Sequence, residues 1–323
     1  MSETLLKVES LEKFFPVKAG VFKRTKGYVK AVNDVSFEVK AKETLSLVGE
    51  SGCGKSTLGR SILRILEPTG GKVLFNDKNI LDYSKQDLRK MRRDMQLVFQ
   101  DPYSSLNPRM TVRELVSEPL YTHFSISKVE ANQRVDEILE KVGLPLEHSK
   151  RYPHQFSGGQ RQRISIARAL VLKPKLVVAD EPVSALDVSI QAQILKLLVD
   201  LQEEFDLTYL FISHDLNVVK HISDRVGVMY LGKIMELADT EALYQDPLHP
   251  YTKALLSAVP TSDPLVKKER IILKGDVPSP TDPPSGCPFH QRCPLAEEQC
   301  RNVLPEFVEV RPEHWVACHL VEE

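Results

Sequence analysis

The sequence predicts an α/β fold in which helices cover both faces of a mainly parallel β-sheet. Short apolar runs at 44–48, 176–179 and 208–212 are typical of buried strands, and the run 35–39 alternates apolar and polar residues as a half-buried strand does. A segment with helical apolar spacing, 194–205, lies between the last two apolar runs. Strands that alternate with helices along the chain are typical of parallel sheets covered on both sides.

Two stretches depart from this alternation of strands and helices. Between residues 110 and 155 the sequence is charged and helical in spacing, so we expect a helical subdomain at about 101–165 that interrupts the sheet. Beyond residue 245 prolines recur and four cysteines follow. This change of composition predicts a core domain at 1–245 and a smaller C-terminal region at 246–323.

The overall composition narrows the possible partners. Of the 323 residues, 42% are apolar and 27% are charged, a balance typical of globular proteins. Because 43 Lys and Arg residues nearly cancel 44 Asp and Glu residues, the net charge gives no reason to expect nucleic acid as a partner. The sequence has no apolar run of about 18 residues and no basic-then-apolar leader. We therefore expect a chain that stays in the cytosol and is held at any membrane by other subunits.

A glycine-rich loop follows the apolar run 44–48. Residues Gly49–Ser56 match G-x-x-x-x-G-K-[ST] and lead into a helix that begins at Lys55 and that we expect to continue until Pro68. Glycines let the backbone wrap a phosphate with its N–H groups, and the helix N-terminus adds partial positive charge. Lys55 would supply a full charge to the β- and γ-phosphates of ATP, and the Ser56 hydroxyl would ligate Mg²⁺. The predicted nucleotide contacts are Gly49, Glu50, Ser51, Gly52, Cys53, Gly54, Lys55, Ser56 and Thr57.

Acidic residues end the apolar run 176–179. Asp180 lies where its carboxylate would reach the Mg²⁺ shell, and Glu181 would polarise a water for in-line attack on the γ-phosphate. His214 follows the run 208–212, at the edge where open α/β sheets bind ligands, and would hydrogen-bond the γ-phosphate or the attacking water. An acidic pair after a strand often only caps a helix. Its occurrence together with the glycine-rich loop favours a catalytic role.

One further motif separates this chain from other proteins with a phosphate-binding loop. The run Phe156–Arg163, FSGGQRQR, resembles the signature motif of ABC ATPases. In the order expected for that family, Gln100 is similar to the Q-loop glutamine, Ser184–Asp187 to the D-loop and His214 to the switch histidine. The resemblance covers roughly residues 5–320 and implies a P-loop NTPase fold of the ABC ATPase type. The further nucleotide contacts that it implies are Gln100, Ser157, Gly158, Gly159, Gln160 and Asp187, and Gln100 would also reach Mg²⁺.

The resemblance implies a dimer that holds two ATP molecules. Each site would join the phosphate loop of one subunit to the signature of the other, where Ser157 and the next two glycines begin a helix and form an anion site. Closure of the dimer would depend on ATP, and hydrolysis would release it. Gln100 would sense the γ-phosphate, and its loop would touch the helical subdomain that faces the membrane subunits. The implied catalytic residues are Lys55, Gln100, Glu181 and His214.

ABC ATPases usually stack adenine on an aromatic residue just after the first strand. Phe15 is the best match to that residue, although the family has tyrosine there and a basic insertion follows in this sequence. Tyr28 is the competing candidate. Either ring would also suit a packed surface position, so both assignments stay open.

Two segments beyond residue 245 indicate a transport class. Residues 246–256 (DPLHPYTKALL) and 283–294 (PPSGCPFHQRCP) resemble segments of the ATPases of oligopeptide/dipeptide and nickel importers. The run Gly49–Arg60 is most similar to the second of the two ATPases that such importers carry. This similarity implies a heterodimer with a related but different ATPase.

The importer resemblance also implies further partners and a location. The expected partners are two integral membrane permease subunits, the second ATPase and, indirectly, an extracytoplasmic solute-binding protein, with this chain on the cytoplasmic face of the membrane. Peptides are the expected cargo, and nickel or another small solute is the alternative, because other subunits choose the cargo. A soluble ABC ATPase without a transport role is a further alternative. The absence of long heptad insertions and of a second cassette argues against the repair and translation members of that class.

Four cysteines in the C-terminal region form a candidate metal site. Cys287, Cys293, Cys300 and Cys318 are separated by 5, 6 and 17 residues, so four thiolates would gather in one loop-rich segment. These spacings are not the C-x₂-C pairs usual for Zn²⁺, and the family resemblance favours a [4Fe–4S] cluster with Zn²⁺ as the alternative. We expect a structural role, because a segment with a thin core needs a staple. Four reduced cysteines that merely pack a small subdomain are the other possibility.

Overall fold

Alternating strands and helices make up most of the computed structural model, which describes residues 3–19, 24–259 and 269–321. The strands are β1 (Thr4–Ala19), β2 (Arg24–Lys40), β3 (Thr44–Val48), β4 (Gly70–Phe75), β5 (Lys78–Asn79), β6 (Met95–Val98), β7 (Leu176–Asp180), β8 (Thr208–Ile212), β9 (Arg225–Tyr230), β10 (Lys233–Asp239), β11 (Val308–Arg311) and β12 (His314–Val316). The α-helices are α1 (Lys55–Ile62), α2 (Lys85–Met91), α3 (Pro102–Ser105), α4 (Val112–His123), α5 (Lys128–Lys141), α6 (Gly158–Leu170), α7 (Val188–Phe205), α8 (Leu216–Ile222), α9 (Thr240–Gln245), α10 (Pro250–Ser257) and α11 (Glu298–Asn302). Single 3₁₀ turns occur at Ile80–Asp82, Leu146–Lys150 and Pro153–Gln155.

The chain divides into two compact units. The first unit contains Lys40–Thr44 and Asp82–Ile212. The second unit contains Thr4–Val39, Leu45–Leu81 and Ser213–Glu323. The second unit therefore contains the glycine-rich loop Gly49–Ser56, called the phosphate loop below, together with the C-terminal region. The first unit contains Gln100, the carboxylates after β7 and the run Phe156–Arg163, called the signature run below.

The second unit holds two groups of paired strands. In one group β1 lies between β2 and β4, and β4 pairs antiparallel with both β1 and β5. In the other group β3 runs parallel to β9, with Leu45 opposite Arg225, and β10, β12 and β11 continue antiparallel from β9. Because β11 and β12 come from the C-terminal region, that region extends the group of strands that carries the phosphate loop.

The first unit combines parallel strands with a helical part. β7 pairs parallel with both β6 and β8, and Leu176 lies opposite Met95 on one side and Thr208 on the other. Every residue of β7 and β8 is buried, which is typical of parallel strands covered on both faces. α4 packs on α5 and α6, and α3 also packs on α6. The limits of the helical subdomain, at about 101–165, stay a prediction.

The buried strands follow the sequence patterns closely. The predicted runs lie within β2, β3, β7 and β8, and the segment 194–205 lies within α7, whose buried residues include Ile194, Leu197 and Leu201. The predicted α/β class with a mainly parallel sheet is thus confirmed, while the boundary near residue 245 stays a prediction. Among the helices of the described residues, none is long and apolar enough to cross a membrane.

The expected length of α1 is wrong. The sequence predicts a helix that runs until Pro68, but the helix ends at Ile62, and Arg64 takes a left-handed conformation with φ of 50°. The Ile65 N–H instead turns back to the Arg60 carbonyl oxygen at 2.9 Å, which closes the helix end. Ile65 is 50% exposed and is not part of the buried helix face.

Candidate functional site

The loop Gly49–Ser56 connects the end of β3 to the start of α1 in the second unit. Close packing requires glycine at two of its positions. A methyl group on Gly49 would lie 2.2 Å from the Met229 carbonyl oxygen, and one on Gly54 would lie 2.0 Å from the Ala31 carbonyl oxygen. Both glycines also have positive φ angles, 148° and 108°, which side chains disfavour. Neighbouring main chain therefore fixes the wrapped shape of the loop.

Lys55 is the first residue of α1, and only 4% of its surface is exposed. Its ammonium group donates to the carbonyl oxygens of Gly49 at 2.7 Å and Glu50 at 3.1 Å. Burial raises the pKa of the Cys53 thiol, and the Lys55 ammonium offsets only part of this effect, so the thiol is neutral at pH 7. The loop is also tied from outside, because the Gly232 N–H donates to the Cys53 carbonyl oxygen at 2.9 Å. A buried cation within such a backbone nest is suited to bind phosphate.

The other predicted contacts of the loop lie on either side of Lys55. Ser51 and Gly52 are exposed, whereas Ser56 and Thr57 are partly exposed in the first turn of α1. This turn presents main-chain N–H groups at a helix N-terminus. The roles of these residues toward ATP and Mg²⁺ stay predictions.

Glu50 is held by two residues of the C-terminal region, which the sequence patterns do not predict. The Arg292 guanidinium donates to both carboxylate oxygens of Glu50, at 2.6 and 3.0 Å. The Glu50 N–H donates to the Tyr251 hydroxyl at 3.0 Å. The sequence does mark both residues in one way: Tyr251 lies in the segment 246–256 and Arg292 in the segment 283–294, the two segments that carry the importer resemblance.

Asp180 and Glu181 lie at the end of β7 in the first unit. Asp180 is 1% exposed and is opposite Ile212 of β8. Glu181 has φ of 47°, a left-handed conformation that few residues other than glycine adopt, and its N–H donates to the Ile212 carbonyl oxygen at 2.9 Å. Strained backbone that neighbouring structure holds in place is concentrated at functional sites.

Gln100 lies after β6 and contacts the predicted catalytic carboxylate. Its side-chain N–H group donates to Oε2 of Glu181 at 2.9 Å and reaches the Ser184 hydroxyl at 3.4 Å. Asp187, at the other end of the run Ser184–Asp187, is the N-cap residue of α7. The structure thus brings the predicted Q-loop glutamine, the predicted base and the predicted D-loop together within the first unit.

The signature run places a helix N-terminus beside α7 in the first unit. Ser157 is the N-cap residue of α6, where its hydroxyl accepts from the Gln160 N–H at 3.4 Å and the Gln160 side chain accepts from the Ser157 N–H at 3.1 Å. A methyl group on Gly159 would lie 2.5 Å from Cγ2 of Ile190. One on Gly158 would lie 3.3 Å from a methyl group of Leu186. Gly159 therefore allows the close approach of α6 to α7, and Gly158 allows its approach to the residues just before α7.

His214 lies in the second unit, two residues after β8 ends. It is exposed, and the preceding Ser213 N–H donates to the Leu47 carbonyl oxygen at 3.1 Å. The following Asp215 caps α8 by accepting from the Asn217 N–H at 2.8 Å. His214 is therefore held between two fixed neighbours at the end of β3, and its role toward the γ-phosphate stays a prediction.

The two candidates for adenine stacking both lie on the second unit. Phe15 belongs to β1, and the Lys13 ammonium lies 4.9 Å from the centre of its ring. Tyr28 belongs to β2 and is 51% exposed. The Lys13 ammonium covers one face of the Phe15 ring, so only the other face could stack on adenine. Tyr28 is more exposed and could offer more of its ring to adenine. Both assignments stay predictions.

The four cysteines of the C-terminal region are reduced in the structure. Cys287 and Cys300 are buried and linked through the main chain, because the Cys287 N–H donates to the Cys300 carbonyl oxygen at 2.8 Å. Burial raises the pKa of Cys287 to about 11, and the thiols of Cys318, Cys300 and Cys293 add to this effect. Within residues 3–19, 24–259 and 269–321, however, no group of three or more Cys, His, Asp or Glu side chains is arranged to hold a metal ion. The structure therefore does not support the predicted metal site.

The segment that includes His249 and Tyr251 has a structural role. His249 caps α10, because its Nδ1 accepts from the Tyr251 N–H at 3.0 Å. The fully buried Glu236 accepts from the N–H groups of Leu248 and His249, at 2.7 and 3.0 Å, and lies 2.8 Å from Nε2 of His314. Burial lowers the pKa of His249 to about 4. Glu236 of β10 thus fastens α10 and β12 to its own strand.

Two family descriptions match different parts of the sequence. Residues 32–184 match the ABC transporter family. Residues 235–300 match the C-terminal region of oligopeptide/dipeptide transporters. The first range includes the phosphate loop and the signature run. The second includes α10 and three of the four cysteines of the C-terminal region, Cys287, Cys293 and Cys300.

Relatives are similar to this chain along its whole length. The oligopeptide transport ATP-binding protein AppF of Bacillus subtilis is 58% identical over 321 residues, which cover 98% of this chain and 98% of the relative. The probable peptide ABC transporter ATP-binding protein y4tS of Sinorhizobium fredii is 54% identical, with coverage of 99% and 91%. The putative oligopeptide transport ATP-binding protein YkfD of Bacillus subtilis is 55% identical, with coverage of 98% and 95%.

Solved structures confirm the fold. The ATP-binding cassette MJ0796, in a dimeric post-hydrolysis state bound to ADP and Pi, is 32% identical, has a TM-score of 0.65, and covers 73% of this chain and 98% of its own. The cbiO1 protein of Clostridium perfringens is 31% identical, also with a TM-score of 0.65, and covers 76% of this chain and 92% of its own. With the full-length relatives, these matches show that the chain belongs to the ABC transporter ATP-binding proteins, and within them to the oligopeptide/dipeptide transport type.

Proposed function

We propose that this chain is the ATP-hydrolysing subunit of a membrane importer and couples ATP hydrolysis to the uptake of oligopeptides or dipeptides. The observation that carries this proposal is the 58% identity to an oligopeptide transport ATP-binding protein over 98% of both chains. The similarity includes the cassette and the C-terminal region together, so it does not rest on the widespread ATPase fold alone.

The phosphate loop supplies the binding half of the chemistry. Lys55 carries the full positive charge toward the β- and γ-phosphates, and the N–H groups of the loop and of the first turn of α1 bind the phosphate oxygens. Ser56, Gln100 and Asp180 would hold Mg²⁺, which neutralises the charge that develops on the phosphates. The buried position of Lys55 supports this role, because a poorly screened cation binds an anion more strongly than an exposed one does.

Glu181 supplies the catalytic half. Its carboxylate polarises a water, whose oxygen forms a bond to the γ-phosphorus as the bond from that phosphorus to the bridging oxygen of ADP breaks. The water proton passes toward the carboxylate, and ADP and inorganic phosphate are the products. His214 hydrogen-bonds the γ-phosphate or the attacking water. The contact between Gln100 and Glu181, at 2.9 Å, supports a link between the Q-loop and this base.

The signature run acts on a partner ATPase. Ser157 and the N–H groups that follow it begin a helix of 13 residues, α6, which is suited to bind an anion brought by a second subunit. The partner is a related ATPase, and two integral membrane permease subunits bind the pair on the cytoplasmic face of the membrane. An extracytoplasmic solute-binding protein delivers the cargo without contact with this chain.

Co-purification from the native host tests the importer assignment. The chain is tagged, membranes are solubilised in mild detergent, and bound proteins are identified by mass spectrometry. Recovery of two polytopic membrane proteins with a second ATPase is expected. The identity of these proteins then helps to decide between peptides, nickel and another small molecule as the solute. Recovery without any membrane protein, from a host that expresses the untagged system normally, would favour the soluble ABC ATPase instead.

A [4Fe–4S] cluster, with Zn²⁺ as the alternative, stays a separate proposal for the C-terminal region. It is supported by the family resemblance, and not by the arrangement of the described side chains. Iron, zinc and acid-labile sulfide are measured on chain purified without oxygen. About four irons and four sulfides per chain are expected, lost in Cys300→Ser but kept in Cys53→Ser. Metal-free chain that is fully folded would refute the cluster.

A further inference from the structure

Arg292 lies in the C-terminal region, yet its side chain ends on the phosphate loop within the same unit. Nη1 and Nη2 donate to Oε2 and Oε1 of Glu50 at 2.6 and 3.0 Å. Two parallel N–H···O bonds constrain both the distance and the orientation of a carboxylate. The Arg292 side chain is 8% exposed and that of Glu50 is 28% exposed. Water therefore screens this ion pair less than it screens a surface pair.

Tyr251 holds the main chain of the same loop residue. The Glu50 N–H donates to its hydroxyl at 3.0 Å. The Tyr251 ring packs against Tyr230 of β9 and against Phe289, with ring centres 4.9 and 5.2 Å apart. The Tyr251 side chain is fully buried, and the close packing of a protein interior constrains the position of its hydroxyl. The side chain and the main chain of Glu50 are thus held by two different residues.

The position of Glu50 bears directly on the loop lysine. Lys55 donates to the carbonyl oxygens of Glu50 and Gly49, at 3.1 and 2.7 Å. A shift of the Glu50 main chain would move an oxygen that orients the ammonium group and would change the path of the N–H groups that follow. Misplacement by about 1 Å is enough to weaken a prearranged site greatly.

We propose that Arg292 is a positioning residue, which holds the phosphate loop in its ATP-binding shape through Glu50, with Tyr251 as a second support. Arg292 does not touch ATP and acts on the loop through Glu50, while its Nη1 also lies 3.5 Å from the Tyr230 hydroxyl of β9. This inference rests on the proposed function, because it assumes that the loop binds ATP. It follows that the affinity for ATP depends on the folded state of the C-terminal region.

ATP binding to the full chain tests this role. The probe is trinitrophenyl-ATP with Mg²⁺, followed by fluorescence and by competition with ATP. Arg292→Met keeps the length of the side chain but removes both N–H donors, and it should weaken ATP binding about ten-fold, the size expected for a charged hydrogen-bonded pair. Arg292→Lys keeps the charge without the two-point geometry and should weaken binding about three-fold. In steady-state hydrolysis KM should rise by the same factors while kcat changes less than about two-fold, because bound phosphates then hold the loop.

Arg311→Met is the matched control. Arg311 is also an arginine of the C-terminal region, but it donates to Asp246, at 2.7 Å. Its replacement should leave ATP affinity unchanged. Glu50→Gln should weaken binding by about the same factor as Arg292→Met, and the double variant should be no weaker than either single variant, since both remove one interaction. Thermal unfolding without nucleotide identifies any variant that does not fold, in which case Arg292→Lys and Glu50→Gln carry the test.

Three results would overturn the role of Arg292. They are unchanged ATP affinity in Arg292→Met, an equal loss in Arg311→Met, and additive losses in the double variant. Lys55→Ala separates these results from a failure of the proposed function. If wild type and Lys55→Ala bind ATP equally, or neither binds, the loop is not an ATP site at all. If wild type binds and Lys55→Ala does not, only the role of Arg292 is in question.

Discussion

The phosphate loop and Glu181, the proposed catalytic carboxylate, are held in different ways in this protein. Around the loop the packing is tight: Lys55 is 4% exposed, and main-chain carbonyl groups leave no room for a side chain at Gly49 or Gly54. By contrast Gln100 is exposed, and it contacts Glu181 through a side-chain hydrogen bond of 2.9 Å. Packing thus fixes the loop, whereas the Glu181 carboxylate is contacted by the side chain of an exposed residue.

This difference fits the two tasks of an ATPase. A site that must gather three phosphates gains affinity when it is formed in advance, because no ordering is needed on binding. A base that must act only when the γ-phosphate is present benefits from a contact that is easily exchanged. Binding and hydrolysis should therefore respond to mutation separately.

The largest expected effect is on hydrolysis alone. Glu181→Gln keeps the shape of the side chain and removes the base, so kcat should fall by about 10² to 10⁴-fold, while ATP affinity should stay within about three-fold. Hydrolysis is measured by phosphate release and binding by fluorescent nucleotide. Glu118→Gln, which changes a carboxylate paired with Arg168 at 2.9 Å in the same unit, is the control and should retain activity. Substantial turnover in Glu181→Gln would remove Glu181 as the base.

A pair of glycine variants tests whether the loop is prearranged by packing. Gly49→Ala places a methyl group 2.2 Å from a carbonyl oxygen, whereas Gly52→Ala, with φ of 82°, meets no atom within 4 Å. Gly52→Ala should therefore lower the free energy of unfolding by about 1 kcal/mol through backbone strain alone. Gly49→Ala should lower it by at least about 3 kcal/mol. Denaturant unfolding without nucleotide measures both, and equal losses would contradict the packing argument.

The support of the loop from the C-terminal region should be sensitive to acid. Burial lowers the pKa of His249 to about 4 from its ordinary 6.5, so between pH 6.5 and 4 the unfolded chain binds the extra proton and the folded chain does not. Stability that is present above pH 6.5 is therefore lost as the pH falls through this window. Between pH 7 and pH 5 the loss should be about 2 kcal/mol.

His249→Asn checks the origin of this acid sensitivity. Asparagine keeps the cap on α10 but does not titrate, so the loss of stability between pH 7 and pH 5 should shrink by about 2 kcal/mol relative to wild type. His221→Asn, at an exposed histidine of α8, should keep the wild-type slope. Unfolding by urea at pH 7 and pH 5 measures the free energy of unfolding of each protein and hence this loss. A slope that is unchanged in His249→Asn would assign the acid sensitivity to other groups.

The smallest effect separates capping from function in the first unit. Ser157 caps α6 and Ser127 caps α5, each by accepting from an N–H three residues later, at 3.4 and 3.2 Å. Ser157→Ala and Ser127→Ala should each lower the free energy of unfolding by about 1 kcal/mol. Only Ser157→Ala should also lower the rate of ATP hydrolysis, measured on the assembled transporter. Equal rates in the two variants would make Ser157 a cap and nothing more.

Sequence patterns are sufficient where the physics is local. Apolar periodicity locates β3, β7 and β8 because a strand buried on both faces must be apolar at nearly every position. The glycine-rich motif locates the phosphate loop because the shape of that loop depends on glycines at fixed spacing within the short run Gly49–Ser56. In both cases the residues that determine the structure are neighbours in the chain.

The end of α1 shows where local patterns fail. The apolar spacing of Leu58, Ile62 and Ile65 continues past the true end of the helix, and the next residue that cannot continue a helix is Pro68. The helix nevertheless stops at Ile62, and Arg64 adopts a left-handed conformation. The Arg64 guanidinium also donates to the Ile80 carbonyl oxygen at 3.1 Å. This contact is tertiary, so no local pattern reports it.

The supports of the phosphate loop could not be predicted for the same reason. Arg292 and Glu50 are 242 positions apart in the sequence, and neither residue type is unusual in a loop. The pairing depends on how the C-terminal region folds back along β9 and β10, which periodicity does not describe. The contact between Gln100 and Glu181 is different. The sequence already gives both residues a role, and what it does not predict is that their side chains lie within hydrogen-bonding distance.

The carbonyl groups that press on Gly49 and Gly54 belong to the main chain of residues 229 and 31. Every amino acid carries such a carbonyl, so the side chains at 229 and 31 are of little consequence for the shape of the loop. What limits exchange at residue 229 is therefore core packing, because Met229 is fully buried, and not the shape of the loop. At Gly49 and Gly54 the loop itself sets the limit, so descendants of this protein should keep the two glycines as long as the loop keeps its shape.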